Sequence, residues 1–251
     1  MSVMVSKALK YTFIGLTLGA ILVTLWGGLI TFEQAPPYPG RIVGPDGGLL
    51  ADRESVLRGQ GVFQKYGLMD VGSVWGHGTY RGTEFTADCL HRMGQEVRQS
   101  LALARFGKPF AGLTAEEQGT LDTAAAAEIK RNTYDAGTDT LTLSPAMAAA
   151  FRAVQDYYSN VFLEGKKDSA ILPNAIADAG ERRDLSHFFF WTAWAAGTLR
   201  PGKDLPYTNN WPPDVSGGNT LSSEAMQWTV VSIIAFLAFL GVMTFVFHWF
   251  K

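Results

Sequence analysis

Tyr11–Phe32, YTFIGLTLGAILVTLWGGLITF, runs 22 positions without a charge, and Trp228–Phe247, WTVVSIIAFLAFLGVMTFVF, has the same character near the other end of the chain. At about 1.5 Å of rise per residue, each run is long enough as a helix to cross a hydrocarbon layer of roughly 30 Å. The reading is a mainly α chain with two transmembrane helices and a folded domain between them in sequence. Residues 1–32 form an N-terminal transmembrane anchor, 33–225 the middle domain and 226–251 a C-terminal transmembrane helix. Two helices are too few to enclose a site, so any chemistry lies in the middle domain or in a partner.

Flanking charge sets an orientation. Lys7 and Lys10 precede the first run and Lys251 follows the second, whereas Glu33 and Glu224 lie on the domain side. Positive charge collects on the cytoplasmic side of membranes, which places both termini in the cytoplasm and the middle domain outside, in the periplasm of a Gram-negative cell. The expected location is therefore the bacterial plasma membrane, with lipid as a contact. A cleaved signal peptide is the alternative for the first run. Its length, and the lack of a small-x-small site over Gly27–Gln34, favour an uncleaved anchor. Gly15 and Gly19 have the G-x-x-x-G spacing of close helix contacts, a pattern also common in membrane helices generally.

Composition excludes several classes. With 21 basic and 23 acidic residues and no basic stripe, nothing points to nucleic acid. Cys89 is the single cysteine, so the chain can form no internal disulfide, no CxxCH haem attachment and no multi-cysteine zinc site. His77, His91, His187 and His248 lack metal-ligand spacing, and no phosphate loop or nucleophile elbow occurs.

Within the middle domain, Ala35–Gly40 (APPYPG) reads as a stiff extended exit from the membrane and Gly44–Gly48 (GPDGG) as a turn. Helices are expected over Arg53–Tyr66, weakened by Gly59 and Gly61, and over Glu84–Leu101, with Gly67–Thr83 a glycine-rich loop. Thr114–Glu117 is a capping box opening a helix to about Arg131. Ser144 followed by Pro145 starts another, to about Phe162. Asp184 or Ser186 is the expected cap of a helix through Phe188–Ala196, and Gly197–Asn219 a long proline-rich loop. Asp139–Leu143 is the best strand.

Several segments together resemble a known family. They are Gly59–Phe63 (GQGVF), Gly72–Tyr80 (GSVWGHGTY), Ala87–Arg92 (ADCLHR), Arg131–Asp135 (RNTYD), Arg200-Pro-Gly and Tyr207–Pro212 (YTNNWP). In this order they resemble the N-terminal part of quinol-dependent nitric oxide reductases of the haem–copper oxidase superfamily. The resemblance covers nearly the whole chain, and the WGHG-x-Y and YTNNWP segments are its specific ones.

The resemblance implies an extracytoplasmic cytochrome c-like domain without haem, consistent with a lone Cys89. It implies a structural role in an enzyme that reduces NO to N2O with quinol electrons. Haem b, haem b3 and the non-haem iron would belong to a multi-helix catalytic partner, since those ligands lie on later helices of the family. The chain reads as one subunit of a split enzyme, with a fragment of a fused chain as the alternative. Gly78 and Tyr80 match positions that help hold a calcium ion against the haem propionates. A carbonyl and a phenol oxygen suit that hard cation, while the same residues by themselves read as a glycine-rich turn with a packing tyrosine. Arg200 is a candidate propionate contact, or a solvated surface arginine.

His77 and His91 lack ligand partners at metal spacing, and His248 reads as an interfacial residue beside Trp249. Phe188–Trp194 covers both faces of its helix, so more than one side must be buried, in the domain's own core or against the partner. Two other readings stand beside the main one. A related NO dismutase differs only in residues beyond this segment, and a non-enzymatic membrane-tethered binding domain would not need the two aromatic-rich segments.

Overall fold

The computed structural model describes residues 6–249. Lys251, one of the flanking charges, lies outside them. The chain divides into two units, residues 1–37 and 38–251. In the first, helix α1 (Lys7–Glu33) is exposed along nearly its whole length, and Gly15 and Gly19 face open space. An apolar helix exposed on all sides matches a lipid-facing segment.

The second unit is mainly helical, with a small sheet at one side. Strands β1 (Arg41–Val43) and β2 (Leu49–Asp52) form an antiparallel pair around the GPDGG turn, which Gly44 N–H closes onto the Gly48 carbonyl at 2.8 Å. Helix α2 (Arg53–Lys65) follows, opened by a capping box in which the Asp52 carboxylate accepts the Ser55 N–H. Strands β3 (Ser73–Val74) and β4 (His77–Gly78) precede α3 (Phe85–Phe106) and α4 (Ala115–Lys130). Strands β5 (Tyr134–Asp135) and β6 (Thr140–Thr142) complete a sheet of order β2-β1-β6-β5, in which β1 and β6 run parallel. Then come α5 (Pro145–Glu164), α6 (Ala179–Gly197) and α7 (Ser223–Trp249).

Helix α6 is the axis of the core. Every residue from Asp184 to Gly197 is buried, and α2, α3 and α5 pack around it. Phe189 stacks on Phe85 at 4.6 Å between ring centroids, and Phe190 meets Phe151 edge-on at 4.8 Å. The aromatic run therefore fills the domain's own core, which decides between the two burial readings.

Two local expectations are corrected and one is extended. The cap of α6 is Asp178, whose carboxylate accepts the Glu181 N–H at 2.8 Å; Asp184 and Ser186 lie inside the helix. The buried charges that follow the cap are held by partners. Arg182 donates to the Ile176 and Ala177 carbonyls, and Asp184 accepts from Arg58 Nε at 2.6 Å. Gly59 has a packing role in α2 beyond its low helix propensity. A Cβ there would lie well inside contact with the Asp184 carbonyl, so the glycine permits α2 and α6 to touch, whereas Gly61 faces open space. Finally, Gly67–Thr83 is not only loop, because it contains a short 3-10 turn at Leu68–Asp70 and the β3–β4 hairpin.

Candidate functional site

The hairpin is built on a two-residue turn. Val74 pairs with His77, and the residues between them, Trp75 and Gly76, both have positive φ, 52° and 75°. Positive φ at both central positions defines a type I′ turn, which matches strand twist but strains any bulky residue. Trp75 is held there from several sides. Its N–H donates to Thr86 Oγ1 at 3.2 Å and its indole Nε1–H to the Thr192 carbonyl at 3.1 Å. Its ring lies 5.3 Å from Trp191, which stacks on Tyr38 at 4.0 Å. The Glu84 carboxylate accepts the Gly76 N–H, and burial raises its pKa despite that bond. Backbone held in a sparse region by so many contacts is typical of functional positions.

A second loop faces this turn. Arg200 donates through Nε to the Pro206 carbonyl at 3.1 Å, and through Nη2 to the Tyr207 carbonyl at 2.9 Å and Asn209 Oδ1 at 2.8 Å. Asn132 Nδ2 donates to the Leu199 carbonyl and the Tyr207 hydroxyl. Lys130, at the last turn of α4, donates to Asn210 Oδ1 at 2.7 Å and to Asn219 Oδ1. Burial lowers the Lys130 ammonium to about 8. Trp211, which precedes a cis peptide bond to Pro212, then reaches the hairpin, its Nε1 lying 3.1 Å from where a Cβ on Gly76 would sit. Segments more than a hundred residues apart in sequence, WGHG-x-Y and YTNNWP, thus form one platform.

Of the candidate residues, Gly78 and Tyr80 stand on the hairpin side and Arg200 braces the loop side. Gly78 has φ 139°, and a side chain there would collide with the Gly72 carbonyl, so the glycine is already required by the hairpin. Tyr80 is 89 % exposed. Calcium takes six to eight oxygens. One carbonyl and one phenol make an incomplete set, and no group of three His, Cys, Asp or Glu side chains that could hold a metal occurs among the described residues.

The histidines have separate roles. His77 Nδ1 contacts the Trp75 carbonyl at 3.0 Å. His91 does have a carboxylate partner, Asp214 at 2.9 Å, with Ser216 Oγ at 3.1 Å from the same nitrogen. Sequence spacing misses it because the two lie on α3 and a distant loop. His248 sits at the end of α7. His187 is buried between Ser55 Oγ and Gln155 Oε1, and desolvation lowers it to about 4. Neither Lys130 nor His187 carries a local sequence signal of its role.

A cavity of about 250 Å³ behind the hairpin is walled by Tyr38, Phe63, Trp75, His77, Phe188 and Trp191. Covalent haem c requires two thiols. Here the single thiol, Cys89, is buried in the core on α3, with its pKa pushed well up by desolvation, so the residues do not fit a thioether-linked haem.

A family model, the NorB cytochrome c-like domain of nitric oxide reductase, matches residues 39–213. The chain belongs to this family. The match takes in both the hairpin and the loop of this nitric oxide reductase domain, from shortly after α1 to the residue that follows the YTNNWP segment. No curated protein matches the chain.

Proposed function

We propose that this chain is a structural subunit of a quinol-dependent nitric oxide reductase, which converts two NO, two electrons and two protons into N2O and water. The domain caps the outer face of a multi-helix catalytic subunit that holds haem b, haem b3 and the non-haem iron, and carries no haem itself. Its helices α1 and α7 cross the plasma membrane with both termini in the cytoplasm, which leaves the domain on the periplasmic side. The Gly78 carbonyl and Tyr80 hydroxyl give part of a calcium shell completed across the interface, and Arg200 holds the neighbouring loop toward the haem propionates.

The observation that carries this reading is the convergence of the hairpin and the YTNNWP loop at Gly76 and Trp211, within a family match of residues 39–213. The loop leads on to α7, and the incomplete calcium donor set calls for oxygens from another chain.

The test is affinity purification from native membranes, with an absorption spectrum and metal analysis. A multi-helix haem protein should accompany the chain in equal amounts, with calcium. Tyr80→Phe should lower the calcium and leave the complex assembled, since the exposed phenol packs on little within this chain. Gly78→Val is a poorer probe because it breaks the hairpin. A stoichiometric haem on the isolated chain, or purification without any haem protein, would overturn the proposal.

A further inference from the structure

Where the chain passes from the domain into α7, a groove of about 420 Å³ opens between the YTNNWP loop and the first turns of the helix. Its volume is within the roughly 300–1,000 Å³ of small-molecule sites. Thr208, Asn209 and Trp211 line it on the domain side, and Leu221, Met226, Thr229 and Val230 on the helix side, where Thr229 is the one polar side chain. We infer that this groove binds the upper acyl chain and glycerol region of one membrane phospholipid.

The lining is polarised along the direction in which the chain enters the bilayer. Met226 is the first residue of an apolar span reaching Trp249, and Val230 lies one turn further along it, so that wall continues the membrane-facing surface of α7. The opposite wall carries the Asn209 amide and the Thr208 hydroxyl, which donates to the Trp211 carbonyl. Arg200 hydrogen-bonds Asn209 Oδ1 at 2.8 Å, which puts a guanidinium one side chain away from the polar end. A phosphate above and a hydrocarbon chain below match that order of charge, amide and apolar surface. Trp211 is 44 % exposed and lines the groove, with its Nε1 edge lying over Gly76. Tryptophan is enriched at the membrane interface, where its amphipathic ring sits at the level of the headgroups. A wholly soluble ligand would leave the Leu221–Val230 wall unused.

The inference rests on α7 crossing the bilayer and is independent of the catalytic partner. The full chain, expressed in membranes and shown to resist alkaline extraction, is purified in mild detergent and its retained phospholipid measured by native mass spectrometry. Val230→Trp fills the groove. Val231→Trp adds the same ring on another side of α7, since consecutive residues point about 100° apart on a helix of 3.6 residues per turn. One phospholipid should stay with the wild type and with Val231→Trp, and at least a tenfold smaller fraction with Val230→Trp. A photo-crosslinker at Val230 should carry a lipid mass. Equal retention in all three proteins, no retention in any, or a crosslink to polypeptide alone would overturn the lipid site. Loss of the chain from alkali-washed membranes would instead remove the membrane-spanning reading on which both proposals stand.

Discussion

The Trp211 indole lies over Gly76, with Nε1 3.1 Å from the point a Cβ would occupy, and this contact joins the hairpin to the loop that leads to α7. Gly76 has φ 75°, so the turn needs glycine for its backbone as well as for the room above it.

Gly76→Ala should therefore cost about 1–2 kcal/mol, the usual penalty for a side chain in the left-handed region, before any displacement of Trp211. Thermal unfolding of the full chain in detergent measures it. Trp211→Ala in the same background should recover only the part due to crowding. Full recovery would show that the backbone carries no strain.

Gly59 and Gly61 form a matched pair on α2. Alanine at Gly59 meets the Asp184 backbone and must push α6 away, for a loss of roughly 1–3 kcal/mol or more. Alanine at Gly61, in open space, should gain up to about 1 kcal/mol from helix propensity. Equal effects in denaturant titrations would contradict the close packing of the two helices.

His187 makes the domain sensitive to acid. Its folded value of about 4 lies below the ordinary 6.5, so the unfolded chain takes up a proton first as pH falls. The stability associated with neutral His187 is complete above pH 6.5 and is lost progressively down to about pH 4. The shift corresponds to about 3 kcal/mol at most. In His187→Gln the slope of stability against pH should flatten over that interval. An unchanged slope would assign the acid response to other groups.

Lys130 has the same sign on the alkaline side. Its folded value of about 8 lies below 10.5, so the buried charge is a cost below pH 8 that is relieved as pH rises toward 10.5. The side chain nevertheless organises the loop, because Asn210 and buried Asn219 both accept from it. Lys130→Met should remove the pH dependence and still loosen residues 207–219, a loss of about 1–3 kcal/mol from unpaired amide oxygens. Faster hydrogen exchange confined to that loop is the expected signature. Uniform exchange across the domain would instead mean general unfolding.

Local rules carry much of the helical reading. The Thr114–Glu117 capping box and the Ser144–Pro145 start appear where expected, because a cap is a contact between residues three apart. The start of α6 follows the same rule, with Asp178 accepting the Glu181 N–H. Arg182 and Asp184 nevertheless draw the expected start inward, because charged residues rarely lie inside a buried helix, and Arg58, which holds Asp184, comes from a distant helix. The hairpin is hidden for a related reason. A tryptophan at positive φ is locally unfavourable, and the contacts that impose it come from Thr86, Thr192 and Trp191.

By itself the sequence determined the two apolar spans, the mainly helical class and the exclusion of a CxxCH haem, all of which depend on residue type or short spacing. The tertiary structure alone decided that WGHG-x-Y and YTNNWP meet at Gly76 and Trp211, that His91 has a carboxylate partner, and that Phe188–Trp194 fills the domain's own core. Those outcomes depend on side chains from distant parts of the chain brought together by packing around α6, and no local pattern encodes that proximity.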